Sequence, residues 1–236
     1  MAGRGARFGN RFKPFLPLGK ERFIEAAVAP FIKWRENISS FVFVYLEEQD
    51  HQHNVAIELH KMFPNLPVRN VVLSNPTKGP AETVCLGIDG ANVTGEVICC
   101  DCDHAIDIAP LLSGIERHRA DAIVPVWPLD NAEVSSWSVV AIDRDDRVVD
   151  IEEKKLPLLP GEKAGAIGCT YFRDAAALRD RLISDRCENL SDALRLMIRD
   201  NSKVTAVRIE YAKFFGDPVR LERALIKTGR RLKENI

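Results

Sequence analysis

Two carboxylates follow a short apolar segment in the middle of the chain and could hold a metal ion. The segment is 96–100, and Asp101 and Asp103 come directly after it. Its residues are typical of a β-strand, and ligands of open α/β sheets bind beyond the carboxyl ends of strands. Mg²⁺ usually takes one or two carboxylates together with phosphate oxygens. A second interpretation, in which the two carboxylates only cap the following helix, stays open.

Sulfur and nitrogen ligands lie beside this acidic pair and raise the question of zinc. The cluster consists of Cys99, Cys100, Cys102 and His104. Adjacent residues of a strand point to opposite faces of the sheet. This disfavours a zinc site.

Glycine and basic residues open the chain. Gly3 and Gly5 would let the backbone approach a ligand closely and turn N–H groups inward. Arg7 and Lys13 would add positive charge where an α-phosphate develops negative charge during attack. This order predicts a phosphate-binding loop, and the alternative is a disordered tail.

Two better-known glycine motifs do not fit this opening. A dinucleotide fingerprint needs G-x-G-x-x-G after a strand, and Phe8 occupies the position of the third glycine. A Walker-type loop needs Gly-Lys followed by Ser or Thr, and Gly19-Lys20 is followed by Glu21.

A further charged group closes a predicted strand in the second half. The run DIEEKK, at 150–155, places Glu153 and Lys154 side by side. Alone, such a run is most simply a solvated surface. It lies, however, between the segments SWSVVAID…RVV and GAIGCTYF.

Strand-like and helix-like segments alternate along the chain. Strands are predicted at 40–46, 68–73, 96–100, 122–127, 166–172 and 204–210. Helices are predicted at 52–62, 79–89, 107–118, 175–184, 191–199 and 218–228. A hairpin is expected around the turn-like Asp145-Asp146. The pattern predicts an α/β fold with a mixed, mainly parallel Rossmann-like sheet flanked by helices.

Length and composition fit one domain over 1–236, with a nucleotide-binding half (1–127) and a second half (128–236). The net charge of -1 argues against nucleic acid as a partner. No apolar run approaches the length of a membrane span, and the first residues lack a secretory pattern. Most of the six cysteines lie in apolar stretches, which indicates a reducing compartment without a disulfide framework. We therefore expect a cytoplasmic protein without a membrane partner.

Taken together, these segments resemble the nucleoside-diphosphate-sugar pyrophosphorylases, or sugar nucleotidyltransferases. MAGRGARF…KP resembles the family's G-x-G-x-R…K-P signature, close to the branch found in polysaccharide and lipopolysaccharide biosynthesis. PTKGPAET resembles the segment that meets the base, and SWSVV…EK…GCTYF resembles the sugar-phosphate half. FFGDPVRLERAL resembles the late segment before the final helix. The resemblance covers nearly the whole chain.

The resemblance implies an activity and a set of site residues. Members transfer a nucleoside monophosphate from a triphosphate to a sugar 1-phosphate with Mg²⁺ and release pyrophosphate. Arg7, Lys13 and the metal ligand Asp103 would be catalytic. The implied nucleotide contacts are Ala2, Gly3, Arg4, Gly5, Thr77 and Gly79. The implied contacts to the sugar and its phosphate are Glu153, Lys154 and Gly168. The partners would be these small molecules, and a homo-oligomer is left open.

The chain departs from the family pattern in three respects. The apolar strand that precedes the glycine loop in relatives does not precede it in this sequence, so either the first strand is missing or the true start of the protein lies upstream of Met1. Phe214 stands where many relatives hold a second metal-binding aspartate, although Asp217 follows Gly216. No base-contact motif is recognisable near Ser74. Two alternatives therefore remain: a cytidylyltransferase for a small phosphorylated alcohol such as phosphocholine, and a non-catalytic nucleotide- or sugar-binding relative.

Overall fold

The structure is a computed structural model and describes residues 2–3 and 6–234. Its strands, in chain order, are β1 (Pro17–Leu18), β2 (Glu21–Arg22), β3 (Phe41–Leu46), β4 (Val68–Leu73), β5 (Val97–Cys100), β6 (His104–Ile106), β7 (Ala122–Pro128), β8 (Ser138–Ile142), β9 (Val148–Glu153), β10 (Glu162–Ala166), β11 (Cys169–Phe172), β12 (Val204–Arg208) and β13 (Ala212–Phe214). Its helices are α1 (Phe23–Ile32), α2 (Glu47–His53), α3 (Val55–Met62), α4 (Pro80–Gly90), α5 (Ala109–His118), α6 (Ala175–Ser184), α7 (Leu190–Arg199) and α8 (Pro218–Glu234).

These elements divide into two compact units. The first unit comprises the described parts of Met1–Pro76, Asp101–Asp107 and Tyr211–Ile236. The second unit comprises Thr77–Cys100 and Ile108–Glu210. The chain therefore passes from one unit to the other several times. The predicted halves at 1–127 and 128–236 stay a prediction about function.

The first unit is built on a parallel pair of apolar strands. β3 and β4 pair from Phe41↔Val68 to Leu46↔Leu73. The β-branched and aromatic residues of β3 suit a half-buried strand, and its Tyr45 is fully buried together with Leu59 of α3. β6 and β13 form a separate antiparallel ladder.

The predicted helix over 52–62 is two helices in the structure. α2 ends and α3 begins at Asn54, whose φ of 51° lies in the left-handed region. Asparagine tolerates this conformation better than most residues. The left-handed conformation interrupts the run of helical hydrogen bonds and so ends α2. The prediction located α3 correctly, whereas residues 47–51 of α2 and the break at Asn54 were not predicted.

The second unit contains one seven-stranded sheet. Its order is β5-β11-β7-β10-β8-β9, and β12 pairs with β7. Ile123, Val140 and Phe172 are buried in it, and α4, α6 and α7 supply further core residues. The predicted hairpin is confirmed as β8–β9, with Asp146 at a φ of 59° in the turn.

The mixed α/β architecture with flanking helices is confirmed. The described ladders are parallel at β3–β4 and β7–β12 and antiparallel elsewhere, so antiparallel pairs are more frequent than expected. The predicted strand at 166–172 corresponds to β11, and 162–166 forms a further strand, β10, that was not predicted. β10 and β11 both run antiparallel to β7, separated by a bend at Ile167 and Gly168.

Three short elements of the first unit were not predicted: the β1–β2 hairpin, helix α1 and the β6–β13 ladder. α1 begins after Arg22, whose amide donates to the Glu25 carboxylate at 2.7 Å. Among the described residues, no helix is long and apolar enough to cross a membrane.

Candidate active site

Asp103 is the centre of the charged site in the first unit. It lies in the turn that leads into β6, and its Oδ2 accepts a hydrogen bond from Lys13 Nζ at 2.6 Å. Lys13 opens a one-turn 3-10 helix, and Pro14 fixes the backbone just after it. About a quarter of each side chain is exposed. The two charges are therefore paired at the surface of the unit and remain accessible.

The buried side chain of His104 lies beside the Asp103 carboxylate. Its Nδ1 lies 3.5 Å from Asp103 Oδ1, and the residue is 6% exposed. β6 holds it in register with Phe214 of β13, and the two rings are 6.5 Å apart. Asp103 thus has a positive partner at one oxygen and a buried imidazole at the other.

These contacts determine the protonation of the acidic pair. Burial would raise the pKa of Asp103, but hydrogen bonds and positive charge from His104 and Lys13 outweigh it and hold that pKa well below its usual range. Desolvation alone would lower the pKa of Lys13, but attraction to the Asp103 charge raises it. The pKa of Lys13 is therefore above its usual value. Desolvation and repulsion from Asp103 raise the pKa of Asp101. Asp103 is therefore the member of the pair that stays ionised.

A cluster of potential metal ligands surrounds this carboxylate. Asp101, Asp103 and His104 each offer one ligand atom, and these atoms lie within 4.8 Å of one another. Two carboxylates suit a hard cation that takes its remaining ligands from phosphate and water, whereas an imidazole nitrogen suits it poorly. The donor set fits Mg²⁺ through the aspartates. No cysteine belongs to this cluster.

The late segment of the chain closes around Asp103. The Phe215 amide donates to the Asp103 carbonyl at 2.9 Å. A Cβ atom at Gly216 would lie 2.6 Å from Asp103 Oδ2, so only glycine leaves room for the carboxylate. Asp217 is used differently, because its Oδ1 accepts from the Arg220 amide and caps α8.

The opening segment is positioned in part by α2. The Gln49 side chain donates from Nε2 to the Gly3 carbonyl at 3.1 Å and accepts at Oε1 from the Leu46 amide at 3.0 Å. Ala2 is buried and Gly3 is exposed. Arg4 and Gly5, two of the predicted nucleotide contacts, lie outside the described residues.

Arg7 faces a different set of residues from Lys13. It lines an open pocket of about 410 Å³ with Phe8, Arg11 and the start of α8. Neither Lys13 nor Asp103 lines that pocket. The structure joins Lys13 to Asp103 directly and places Arg7 in this separate pocket.

Glu153 is held by two hydroxyl groups in the second unit. Its Oε2 accepts from Ser138 Oγ at 2.5 Å and from Ser191 Oγ at 3.1 Å. Ser138 faces Glu153 across the β8–β9 ladder, and Ser191 lies in the first turn of α7. The carboxylate is thereby fixed from two sides.

The backbone of Lys154 has an unusual conformation. Its φ is 59°, in the left-handed region, and its amide donates to the Trp137 carbonyl at 2.8 Å. Such a conformation is uncommon for a non-glycine residue, and Arg119 and Arg186 also adopt it. At Lys154 it places the exposed side chain just beyond the end of β9.

The remaining predicted contacts have separate places in the second unit. Gly168 is exposed in the bend between β10 and β11. Thr77 Oγ1 lies 2.7 Å from Thr83 Oγ1 at the start of α4. A Cβ at Gly79 would lie 2.6 Å from the Glu188 carbonyl oxygen, so this glycine has a packing role.

Several supporting residues were not found from the sequence. They are His104 as a partner of Asp103, Gly216, Gln49, Ser138 and Ser191. Ser138 follows once the hairpin register is known, and Gly216 was quoted only as part of the late segment. No local signal pointed to Gln49 or Ser191, since both act across elements distant in the chain.

Comparison with known proteins places this arrangement in a family. The sequence profile of the MobA-like NTP transferase domain matches residues 1–169, which include Lys13, Asp103 and Glu153. The chain belongs to this family. The predicted relationship to nucleotidyltransferases is thereby confirmed.

A curated relative is similar over part of its length. The chain is 28% identical over 137 residues to a glucose-1-phosphate adenylyltransferase from Methylobacillus flagellatus. The match covers 54% of this chain and 32% of the relative, so the chain spans about a third of that protein.

Solved structures share the fold across nearly the whole chain. A nucleoside-diphosphate-sugar pyrophosphorylase from Vibrio cholerae RC9 has a TM-score of 0.78 at 18% identity, covering 95% of this chain and 97% of its own. A UTP-bound UGPase from Acinetobacter baumannii has a TM-score of 0.75 at 17% identity, covering 97% and 90%. A UDP-glucose pyrophosphorylase complexed with UDP-glucose has a TM-score of 0.79 at 15% identity, covering 98% and 96%. The predicted fold type is confirmed.

The close approach of Gly216 to Asp103 can be tested by a double-mutant cycle. We expect Gly216→Ala to lower the free energy of unfolding by about 1–3 kcal/mol, because the new methyl group overlaps the carboxylate. In the Asp103→Ala background the same change should cost clearly less, because the overlapping oxygen is gone. Denaturant unfolding of the four proteins measures both values. Equal costs in the two backgrounds would contradict the contact.

Proposed function

We propose that the protein transfers a nucleoside monophosphate from a nucleoside triphosphate to a sugar 1-phosphate and releases pyrophosphate. The observation that carries the proposal is the Lys13–Asp103 pair, at 2.6 Å, in a chain of the NTP transferase family. An ionised carboxylate and an ammonium group in reach of solvent are the groups that a metal-bound triphosphate needs.

Asp103 would hold Mg²⁺, with Asp101 as a second oxygen donor. The bound ion would neutralise charge on the phosphate oxygens of the donor. Support comes from the three potential ligand atoms within 4.8 Å and from the contacts that keep Asp103 ionised. His104 would act as a positioning residue, since it is buried behind the carboxylate. Phe214 offers no ligand, so we assign no aspartate to the position of the second metal ligand.

Lys13 would leave Asp103 and bind the α-phosphate when the triphosphate arrives. It adds positive charge at the phosphorus where negative charge increases during attack. Arg7 would contribute charge toward the leaving pyrophosphate. Ala2, Gly3, Arg4 and Gly5 would surround the triphosphate, in keeping with the exposed Gly3 and its anchor to Gln49.

The acceptor would attack in line at the α-phosphorus. A phosphate oxygen of the sugar 1-phosphate forms the new P–O bond while the bond to pyrophosphate breaks. No general base is required, because this phosphate is already ionised near neutral pH. Catalysis would therefore consist of positioning and electrostatic stabilisation.

Glu153, Lys154 and Gly168 would bind the acceptor. Two serine hydroxyls fix the Glu153 carboxylate, leaving its other oxygen for a sugar hydroxyl. The left-handed backbone at Lys154 projects an ammonium group that suits the sugar phosphate. Thr77 and Gly79 would lie near the base at the start of α4.

The proposed substrates agree with the names of the similar proteins, which include sugar-phosphate adenylyltransferases and UDP-glucose pyrophosphorylases. We place the nucleoside-diphosphate sugar product in glycan and polysaccharide biosynthesis and the reaction in the cytoplasm. One observation, Phe214 at the position of the second metal ligand, favours the alternative of a non-catalytic binding relative.

A direct assay separates the two functions. The protein is incubated with Mg²⁺, each of ATP, GTP, CTP, UTP and dTTP, and a panel of sugar 1-phosphates together with phosphocholine. Pyrophosphate release with one base and one sugar 1-phosphate supports the proposal. Release with phosphocholine only would replace the acceptor class, and absence of release from folded, nucleotide-binding protein would support the binding relative.

Lys13 can be tested against a second lysine of the same segment. We expect Lys13→Met to lower kcat for pyrophosphate release by about 10²–10³, because a charge that stabilises the transition state is lost. Lys20 is exposed in the turn between β1 and β2 and serves as the matched control. Lys20→Met should leave kcat unchanged. Equal effects of the two substitutions would show that only general surface charge matters.

Glu153 can be tested against its neighbour in β9. We expect Glu153→Gln to raise KM for the sugar 1-phosphate by about 10- to 100-fold, since a charge-assisted hydrogen bond is worth about 1.5–3 kcal/mol. Glu152 pairs with Arg195 at 3.3 Å and Lys155 at 3.2 Å, so Glu152→Gln removes the same charge elsewhere. That variant should keep the wild-type KM. An unchanged KM in Glu153→Gln would remove this residue from the acceptor site.

A further inference from the structure

Two cysteines of the second unit face each other across neighbouring strands. In the antiparallel ladder of β5 and β11, Cys100 is paired with Cys169. Their Sγ atoms lie 2.9 Å apart, although neither cysteine is in a disulfide. We propose that Cys100 and Cys169 are an oxidative modification site, at which an oxidant of the peroxide class produces a reversible cross-strand disulfide.

The backbone already meets the geometric demands of that bond. Residues opposite each other in an antiparallel ladder have Cα atoms about 4.5–5.5 Å apart, within the range that a disulfide tolerates. A disulfide needs a sulfur–sulfur distance of about 2.0 Å, so the two Sγ atoms must approach by about 0.9 Å. Small side-chain rotations achieve this without a change of register.

The two thiols differ in exposure, and this difference assigns their roles. Cys100, the last residue of β5, is exposed, whereas Cys169 is 1% exposed. An oxidant in solution therefore reaches Cys100 first. Cys169 is the resolving thiol, because it lies in contact with the oxidised sulfur and is shielded from solvent.

The reaction balances with peroxide as the oxidant. The Cys100 sulfur loses its proton to solvent and attacks one peroxide oxygen, the O–O bond breaks, and a sulfenic acid and water result. The Cys169 sulfur then loses its proton and attacks the Cys100 sulfur, the S–O bond breaks, and a second water leaves. Two thiols are oxidised by two electrons, and the peroxide is reduced to two waters. A dithiol reductant reverses the change.

The other cysteines are less suited to this chemistry. Cys85 and Cys99 are buried, and Cys102 and Cys187 are half-buried. Burial also raises the pKa of the Cys85 and Cys187 thiols, which lowers the fraction of reactive thiolate.

The cross-link would join two positions next to proposed site residues. The chain continues from Cys100 into Asp101, and Gly168 directly precedes Cys169. A covalent tie restricts the movement of both flanking segments, so we expect oxidation to slow pyrophosphate release. This consequence rests on the proposed function, whereas the disulfide itself does not.

Mass spectrometry of the full chain tests the site. The protein is treated with a low concentration of hydrogen peroxide, quenched, alkylated under denaturing conditions and digested without reductant. We expect one cross-linked peptide pair containing Cys100 and Cys169, loss of two of the six titratable thiols, and recovery of both with dithiothreitol. Retention of all six thiols, or a cross-link between other cysteines, would overturn the proposal.

Three variants separate the roles of the two thiols. Cys100→Ser should keep all its remaining thiols under the same peroxide treatment. Cys187→Ser should form the Cys100–Cys169 cross-link as wild type does. Cys169→Ala should accumulate a sulfenic acid at Cys100, detected by its dimedone adduct. If the dimedone adduct formed at Cys169 of Cys100→Ser as fast as it forms at Cys100 of Cys169→Ala, the assigned order of oxidation would be contradicted. Reduced protein without pyrophosphate release would instead count against the proposed function alone.

Discussion

The ion pair between Lys13 and Asp103 is the interaction on which the candidate site depends. A carboxylate that is partly buried would ordinarily become harder to ionise, and Lys13 and His104 together reverse that tendency. The pair requires that residues far apart in the chain meet: the 3-10 turn at Lys13, the turn before β6, and the segment at Gly216. The β1–β2 and β6–β13 ladders and helix α1 of the first unit are the elements that bring these segments together.

The second unit positions its charged side chains through a hairpin and a helix. Its hairpin ends in Glu153, which two hydroxyls hold, and Lys154, which a left-handed backbone projects outward. The sheet beneath is packed and largely antiparallel, so the positions of these two side chains are fixed by ladder register and by α7. Within each unit the groups proposed for chemistry therefore lie at or next to the ends of regular elements, and their hydrogen-bond partners come from neighbouring elements.

Local sequence patterns predicted much of this fold, and their failures have physical causes. Helix α6 and strand β4 lie at their predicted bounds, because hydrophobic periodicity and turn residues agree there. The split at Asn54 and the bend at Gly168 depend on single backbone conformations that periodicity does not report. The charged residues Lys13, Asp103, Glu153 and Lys154 were singled out by motif. The contacts that His104, Ser191 and Gly216 make with them were not predicted, because such contacts depend on tertiary packing. The roles of the motif residues and the contacts of Arg7 stay predictions.

The measurement that tests the central claim most directly is thermal unfolding with nucleoside triphosphates, with and without Mg²⁺, for wild type and Asp103→Ala. A ligand at about 100 times its Kd stabilises the native state by about 2.7 kcal/mol. We expect a Mg²⁺-dependent rise in the Tm of wild type with one preferred base, and loss of the Mg²⁺-dependent part in a folded Asp103→Ala protein. An equal Mg²⁺-dependent rise in both proteins would contradict the assignment of the metal–triphosphate site to Asp103.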